Sequence, residues 1–486
     1  MESLSYEQFL AYSREYTVVP IAKEIYSDMI TPIAVLRRLA KVNRNFFLLE
    51  SVEGGEKVGR YSFLGYEPLF RTYCEQGKVM VKSGGIVTTL PGEPLEALKG
   101  LLASFRSPKQ KSLPTFTGGF VGYFSYEMIR YSEPKLTMKE SEFPEFDLML
   151  FDKVIVFDHL KQKIILIVNA KTEEGKEGYE TALLTMDHLV SMIYDQGPLP
   201  VTDAQEKVTF RCNVSEEEYY QMVERTKQYI YEGDIFQGVI SRRFEAEYES
   251  SLLNTYRVMR TINPSPYMYF IQCEDTQIAG VSPETMVKLV DGKPTTFPVA
   301  GTRKRGRSQE EDLELERDLL SDEKELAEHN MLVDLARNDI GRLSEYGSVT
   351  VEEYMKIHRF SKVMHIASVV CGKLTQGKDS VDTIATMLPA GTLSGAPKFR
   401  ACEIIDELEK EARGVYGGAI GYLDLSGNLD VCIAIRTAVK KKNRVYVQAG
   451  AGIVADSDAQ KEYEECENKA SAVMEAIRRA SEVNGK

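Results

Sequence analysis

Four glutamates raise the first chemical question. Glu325 and Glu328 stand three apart in DEKELAEHN (322–330), and Glu462 and Glu465 repeat the spacing in KEYEECENKA (461–470). On a helix, positions i and i+3 share a face, so each pair points one way. Two such helices facing each other would converge four carboxylates. Like charges so placed need a cation between them or raised pKa values. All-oxygen donors suit Mg2+ better than zinc. His329, next to Glu328, completes no HExxH zinc motif. Taken alone, both runs also read as solvated helix faces.

Three glycine-rich strings add a second possible chemistry. PVAGTRKRG (298–306) sets a glycine step before a basic run, PAGTLSGAPK (389–398) is a glycine-rich turn ending in Pro and Lys, and QAGAGIVADSD (448–458) holds two glycines within a strand pattern. None has the P-loop spacing. Backbone N–H groups exposed at such glycines can hold carboxylates, and the same glycines can equally be bulges and turns.

The elements that must carry these residues follow from periodicity. DKVIVFDH (152–159) and KIILIVNA (163–170) flank a short polar turn and predict a hairpin. GKEGYETALLTMDHLVSMIY (175–194) has helical spacing. The polar stretch 196–213 reads as a linker between a region 1–195 and a module 214–480. Ser215 and Glu218 then form a capping box ahead of a helix that stops near Gly233. Residues 415–458 read as three strands of an antiparallel meander, and a last helix runs from about Ala459 to Ala480. Strands and helices do not alternate in a βαβ rhythm, which predicts an α+β fold.

Composition sets outer bounds. The 486 residues are 43% hydrophobic and 27% charged, which is globular, and the net charge of −13 argues against nucleic-acid binding. An anionic substrate would need local positive charge or a metal. Seven scattered cysteines without a CxxC pair predict reduced thiols and a cytoplasmic protein. The polar N-terminus is no signal peptide, and no apolar run reaches the ~20 residues of a membrane span. Tryptophan is absent.

Taken in order, GDIFQ, SPET, PVAGTRKRG, KELAEHNMLVDLARND, HRFSKVMH, PAGTLSGAPK, GVYGGAIGY, AIRTA, QAGAGIVADSD and ENKA resemble the chorismate-utilising enzymes over about 214–480. The first half, with FLLES at 47–51, is similar to the matching half of anthranilate synthase large subunits. The resemblance implies an α/β sandwich of two large antiparallel sheets enclosing helices, with both halves contributing. It implies Mg2+ on Glu328 and Glu465, with Glu325 and Glu462 in support, holding the ring carboxylate of chorismate. Gln237, Gly301, Thr302, Tyr416, Arg436, Gly450, Ala451, Gly452 and Lys469 would line or hold the substrate. Glu284 would be the general acid for the departing C4 hydroxyl, with a raised pKa. His365 would assist the loss of pyruvate, with Thr392 as a hydrogen-bonding neighbour, while His329 would be structural.

Within that family, Gln237 stands where water-activating members carry lysine, and Ala300 stands where many aminodeoxychorismate synthases carry a nucleophilic lysine. Free ammonia is therefore the expected nucleophile. No glutaminase pattern is visible, so the resemblance implies a separate glutamine amidotransferase subunit. Ser51, Pro266, Tyr267 and Met268 match the site where anthranilate synthases bind tryptophan as an inhibitor. The resulting expectation is anthranilate synthesis. The alternatives are aminodeoxychorismate synthesis, or a non-catalytic amino-acid sensor.

Overall fold

The hairpin expected at 152–170 forms, with Lys153–Asp158 antiparallel to Lys163–Lys171 and Val156 opposite Ile165. Unbroken Val, Ile and Phe in these strands bury both faces, and the architecture explains why. The computed structural model describes residues 4–53, 57–195, 197–199, 207–359 and 363–484. Its strands form two 12-stranded sheets and one two-stranded pair, Val52–Glu53 with Lys57–Val58. The first contains Val18–Tyr26, Asn45–Glu50, Tyr267–Cys273, Thr276–Ser282, Thr437–Lys441, Arg444–Ile453 and Gln237–Glu247, among others. The second contains Gly119–Phe124, Phe146–Phe151, Thr285–Val290, Val299–Lys304, Val363–Cys371, Ala419–Asp424 and Leu429–Ile433. Both halves of the chain supply strands to each sheet, as expected for an α+β sandwich.

One apolar cluster lies between the sheets. Phe47, Phe63 and Tyr269 of the first meet Val121, Met149 and Cys432 of the second. Helices cover the outer faces. Ala182, Met186, Leu189 and Ile193 of the helix Gly175–Ile193 bury against the first sheet with Val473 and Ile477 of the helix Ala459–Arg478. Val333, Ala336 and Ile340 of the helix Glu323–Gly341 bury against the second. The capping box at Ser215 is present, with the Glu218 side chain returning to the Ser215 N–H, and its helix runs Glu216–Tyr231. Of the expected linker, residues 196 and 200–206 lie outside the described residues, and Arg211–Cys212 pair with Glu245 and Phe244.

The meander expected at 415–458 is corrected. Four strands form there, and they divide between the sheets. Ala419–Asp424 and Leu429–Ile433 belong to the second sheet, while Thr437–Lys441 and Arg444–Ile453 belong to the first. The chain crosses at Ala434–Arg436, where Arg436 takes φ +50°, a region that costs a non-glycine residue roughly 1–3 kcal/mol. A second crossing lies beside it. Thr276–Ser282 ends in the first sheet, Thr285–Val290 begins in the second, and only Pro283 and Glu284 stand between. The two crossings are stitched together by Ile433 N–H to Glu284 O (3.0 Å), Val281 N–H to Arg436 O (3.2 Å) and Ser282 Oγ–H to Ile433 O (2.7 Å).

Candidate active site

Each crossing carries a chemically capable side chain. Glu284 rides on one and Arg436 on the other. The Glu284 carboxyl accepts a 2.9 Å hydrogen bond from Thr392 Oγ1. Thr392 comes from the short turn Gly391–Leu393, where a Cβ at Gly391 would stand 1.9 Å from Leu335 Cδ2. That glycine lets the turn press against the helix Glu323–Gly341. Burial pushes the Glu284 carboxyl up to about 7, against the opposing pull of Thr392, Arg436 and Lys469. Glu284 and Thr392 open onto a cleft walled by Met286, Leu332, Leu335 and Met387.

His365 approaches from Val363–Cys371, opposite Thr302 in the register. Its Nδ1 lies 3.0 Å from Gly301 O and 3.0 Å from Thr302 Oγ1. A carbonyl can only accept, so Nδ1 carries the proton and Nε2 is the basic nitrogen. Burial, with Arg436 adding to it, lowers the pKa of His365, so the ring is neutral at pH 7. Gly301 takes φ +68°, and the strand register slips between Ala300 and Thr302. The glycine is thus a bulge that also aims its carbonyl at the histidine. Phe360, Ser361 and Lys362 of the HRFSKVMH motif lie outside the described residues.

The strand Arg444–Ile453 brings up the next group. Gly450 lies opposite Ser241, and Gly452 opposite Val239. A Cβ on Gly450 would stand 2.9 Å from Ile240 O and 2.9 Å from Tyr416 Oη, and one on Gly452 would stand 2.6 Å from Gln237 Nε2. The backbone carbonyl of Ile240 requires glycine at 450, and the neighbours of the two glycines include the expected binding residues Tyr416 and Gln237. Lys469 Nζ donates to Gly450 O at 3.0 Å and pairs with Glu465 at 2.6 Å. The Ala451 side chain turns into the core with Ile240 and Cys466, which leaves its backbone for any contact with a ligand.

The two carboxylate helices do converge. Burial raises the Glu328 pKa, and the charges of Glu325 and Glu465 add to it. Glu462 is likewise raised by burial and by Glu465. Glu325 is drawn to Arg303 at 3.5 Å, which also holds Asp318 and Asp322. The basic run after the glycine step therefore clamps its own acidic helices. No group of three or more His, Cys, Asp or Glu side chains closes into a metal cluster among the described residues. Mg2+ does not need one, because it takes one or two carboxylates and fills its shell with water and substrate oxygens. Glu328 and Glu465, mutually repelling and partly in solvent, fit that description. His329 turns away, fully buried, with Nε2 2.7 Å from Ser368 Oγ.

The residues expected to bind tryptophan gather at the ends of adjacent strands, since Met268 lies opposite Glu50, one step from Ser51 and Tyr267. Met268 points its side chain into the core beneath the helices, while Tyr267 packs between the sheets. Periodicity missed one group next to the site. Arg413 and Glu409 form a buried pair at 2.6 Å, and the guanidinium also donates to Leu393 O and Val239 O while lying 5.7 Å from the Tyr416 ring. The only sequence signal was their four-residue spacing. All seven cysteines are free, and no described helix is long and apolar enough to cross a membrane.

A family model described as chorismate binding enzyme matches residues 45–475. Anthranilate synthase component 1 of Acetivibrio thermocellus is 46% identical over 97% of this chain and 97% of its own length. The protein of that name from Aquifex aeolicus is 44% identical over 99% of both. The crystal structure of anthranilate synthase component I from Streptococcus pneumoniae superposes with a TM-score of 0.78 at 40% identity, covering 92% of this chain and 98% of that one. The menaquinone-specific isochorismate synthase of Escherichia coli shares the fold, with a TM-score of 0.70 at 17% identity over 97% of this chain and 98% of that one.

Proposed function

This chain belongs to the chorismate-binding enzymes, within the anthranilate synthase component I family, and from that premise we propose that it converts chorismate and ammonia to anthranilate and pyruvate. The observation that carries the chemistry is Glu284. Its carboxyl is held up to about 7 at a sheet crossing, so much of it is protonated near neutral pH. It gives that proton to the C4 hydroxyl, which leaves as water while ammonia adds at C2. Thr392 fixes the orientation of the acid. The ammonium formed at C2 returns a proton to the Glu284 carboxylate. Neutral His365, with Nε2 as its basic nitrogen, then takes the C2 proton as the C3–O bond breaks, and that proton passes to the methylene carbon of the departing enolpyruvate, giving pyruvate. Arg436, Lys469, Tyr416 and the Gly450–Gly452 backbone bind the substrate carboxylates. Gln237 borders the same strand, where it offers an amide and no general base.

Glu328 and Glu465 would hold Mg2+, with Glu325 and Glu462 behind them. The ion would supply positive charge for the ring carboxylate of chorismate. Ammonia would reach this chain from a glutamine amidotransferase subunit, a second component that the component 1 name of its relatives implies. Ser51, Tyr267 and the Pro266–Met268 backbone would bind tryptophan as a feedback inhibitor, which makes the reaction the first committed step of tryptophan synthesis.

The test is product analysis with the purified chain, chorismate, Mg2+ and an ammonium salt. Anthranilate and pyruvate should appear in equal amounts. An aminated ring that keeps its enolpyruvyl group would instead make the chain an aminodeoxychorismate synthase. Tryptophan binding without turnover would make it a sensor.

A further inference from the structure

We infer that Tyr267 is a positioning residue for Glu284, acting through its hydroxyl on the crossing that carries the acid. The inference rests on the assignment of Glu284 proposed above. In the first sheet Tyr267 lies opposite Ser282, the last residue before the crossing. From there its ring reaches the second sheet. Tyr267 Oη donates to Asp430 Oδ1 at 2.7 Å and shares a hydrogen bond with Thr285 Oγ1 at 3.0 Å. Thr285 is joined directly to Glu284. The other Asp430 oxygen meets Lys288 Nζ at 3.3 Å, and that ammonium stands 5.6 Å over the Tyr267 ring.

Two polar side chains of the second sheet, Asp430 and Thr285, thus converge on one hydroxyl from the first, with Lys288 behind Asp430. Phenylalanine would fill the same space without the cost of placing polar groups there. What the hydroxyl adds is a fixed distance between the sheets at the point where the chain passes from one to the other. Among the described residues, Glu284 is held otherwise by its own peptide bonds and by hydrogen bonds with Ser282, Ile433 and Thr392. A shift of about 1 Å in a catalytic group can cost about a hundredfold in rate. The charged groups facing Glu284 are Arg436 on the second crossing and Lys469 on the last helix. Asp339 lies across the cleft, and Asp430 and Lys288 sit below on neighbouring strands. Tyr267 also belongs to the proposed tryptophan site, so an occupant that turned its ring would release Thr285 as well.

The experiment compares the full-length wild type with Tyr267→Phe, Thr285→Val and Thr285→Ser. With saturating Mg2+ and ammonium salt, Y267F and T285V should each lower kcat about tenfold or more with KM for chorismate changed less than about twofold. Both should raise the alkaline limb of the kcat/KM profile, because a displaced Glu284 loses its bond from Thr392. T285S, which keeps the hydroxyl, should retain wild-type kcat and limb. Wild-type values in Y267F and T285V, or a T285S as impaired as T285V, would overturn the positioning role alone. A wild type that leaves chorismate untouched would overturn both this inference and the function on which it rests.

Discussion

Replacing Thr392 by valine should move the alkaline limb of kcat/KM upward, and the size of the move follows from one hydrogen bond. Glu284 has to be protonated to act, so activity falls as pH rises through its pKa of about 7. Thr392 Oγ1 donates to Glu284 Oε1 at 2.9 Å, which favours the ionised carboxyl. Hydrogen bonds to charged groups contribute roughly 1.5–3 kcal/mol. The protonated carboxyl keeps part of that bond, so the loss divides unequally between its two forms. One pK unit is about 1.4 kcal/mol, which sets the shift at roughly one unit. Valine nearly preserves shape, so the turn Gly391–Leu393 should persist. The assay is initial rate against pH, referred to the free-ammonia concentration at each pH, because ammonia itself titrates on the alkaline side. At about pH 6, where wild type is already mostly protonated, T392V should be slower because only orientation is lost. Its limb should lie near roughly 8, one unit above wild type. A limb that stays in place, or moves to lower pH, would refute the assignment of that limb to Glu284.

Two further outcomes follow from the same site. Glu328→Ala and Glu465→Ala should each abolish Mg2+-dependent turnover, while Glu325→Gln should weaken Mg2+ binding about 10–100-fold, measured by calorimetry as well as by rate. Unaltered Mg2+ binding in the alanine variants would remove the metal from these glutamates. Gly450→Ala places a Cβ 2.9 Å from Ile240 O and from Tyr416 Oη, so it should lower stability by about 1–3 kcal/mol and raise KM for chorismate, read from thermal unfolding and steady-state kinetics.

Local chemistry was readable in the sequence wherever the cause was local. The capping box at Ser215, the hairpin at 152–170 and the same-face pairs Glu325/Glu328 and Glu462/Glu465 all follow from spacing. The meander was misread because a period of two reports alternation along a strand and says nothing about which sheet the strand joins. The switch at Ala434–Arg436 is held by hydrogen bonds to the 281–284 segment, about 150 residues away in sequence. The site depends on that same pairing of crossings, so Glu284 could be placed only by resemblance, and Tyr267, Asp430 and Arg413 beside it only by structure. The convergence of Glu328 with Glu465 is likewise tertiary. Spacing allowed it and could not distinguish it from two wet helix faces.

The decisive substitution is Glu284→Gln, which keeps the size and polarity of the side chain and removes its transferable proton. With chorismate, Mg2+ and ammonium salt at neutral pH, anthranilate formation should fall by roughly 10²–10⁴-fold while KM for chorismate stays within a few-fold of wild type. An E284Q enzyme that makes anthranilate at a rate close to wild type would contradict the claim that this carboxyl is the acid.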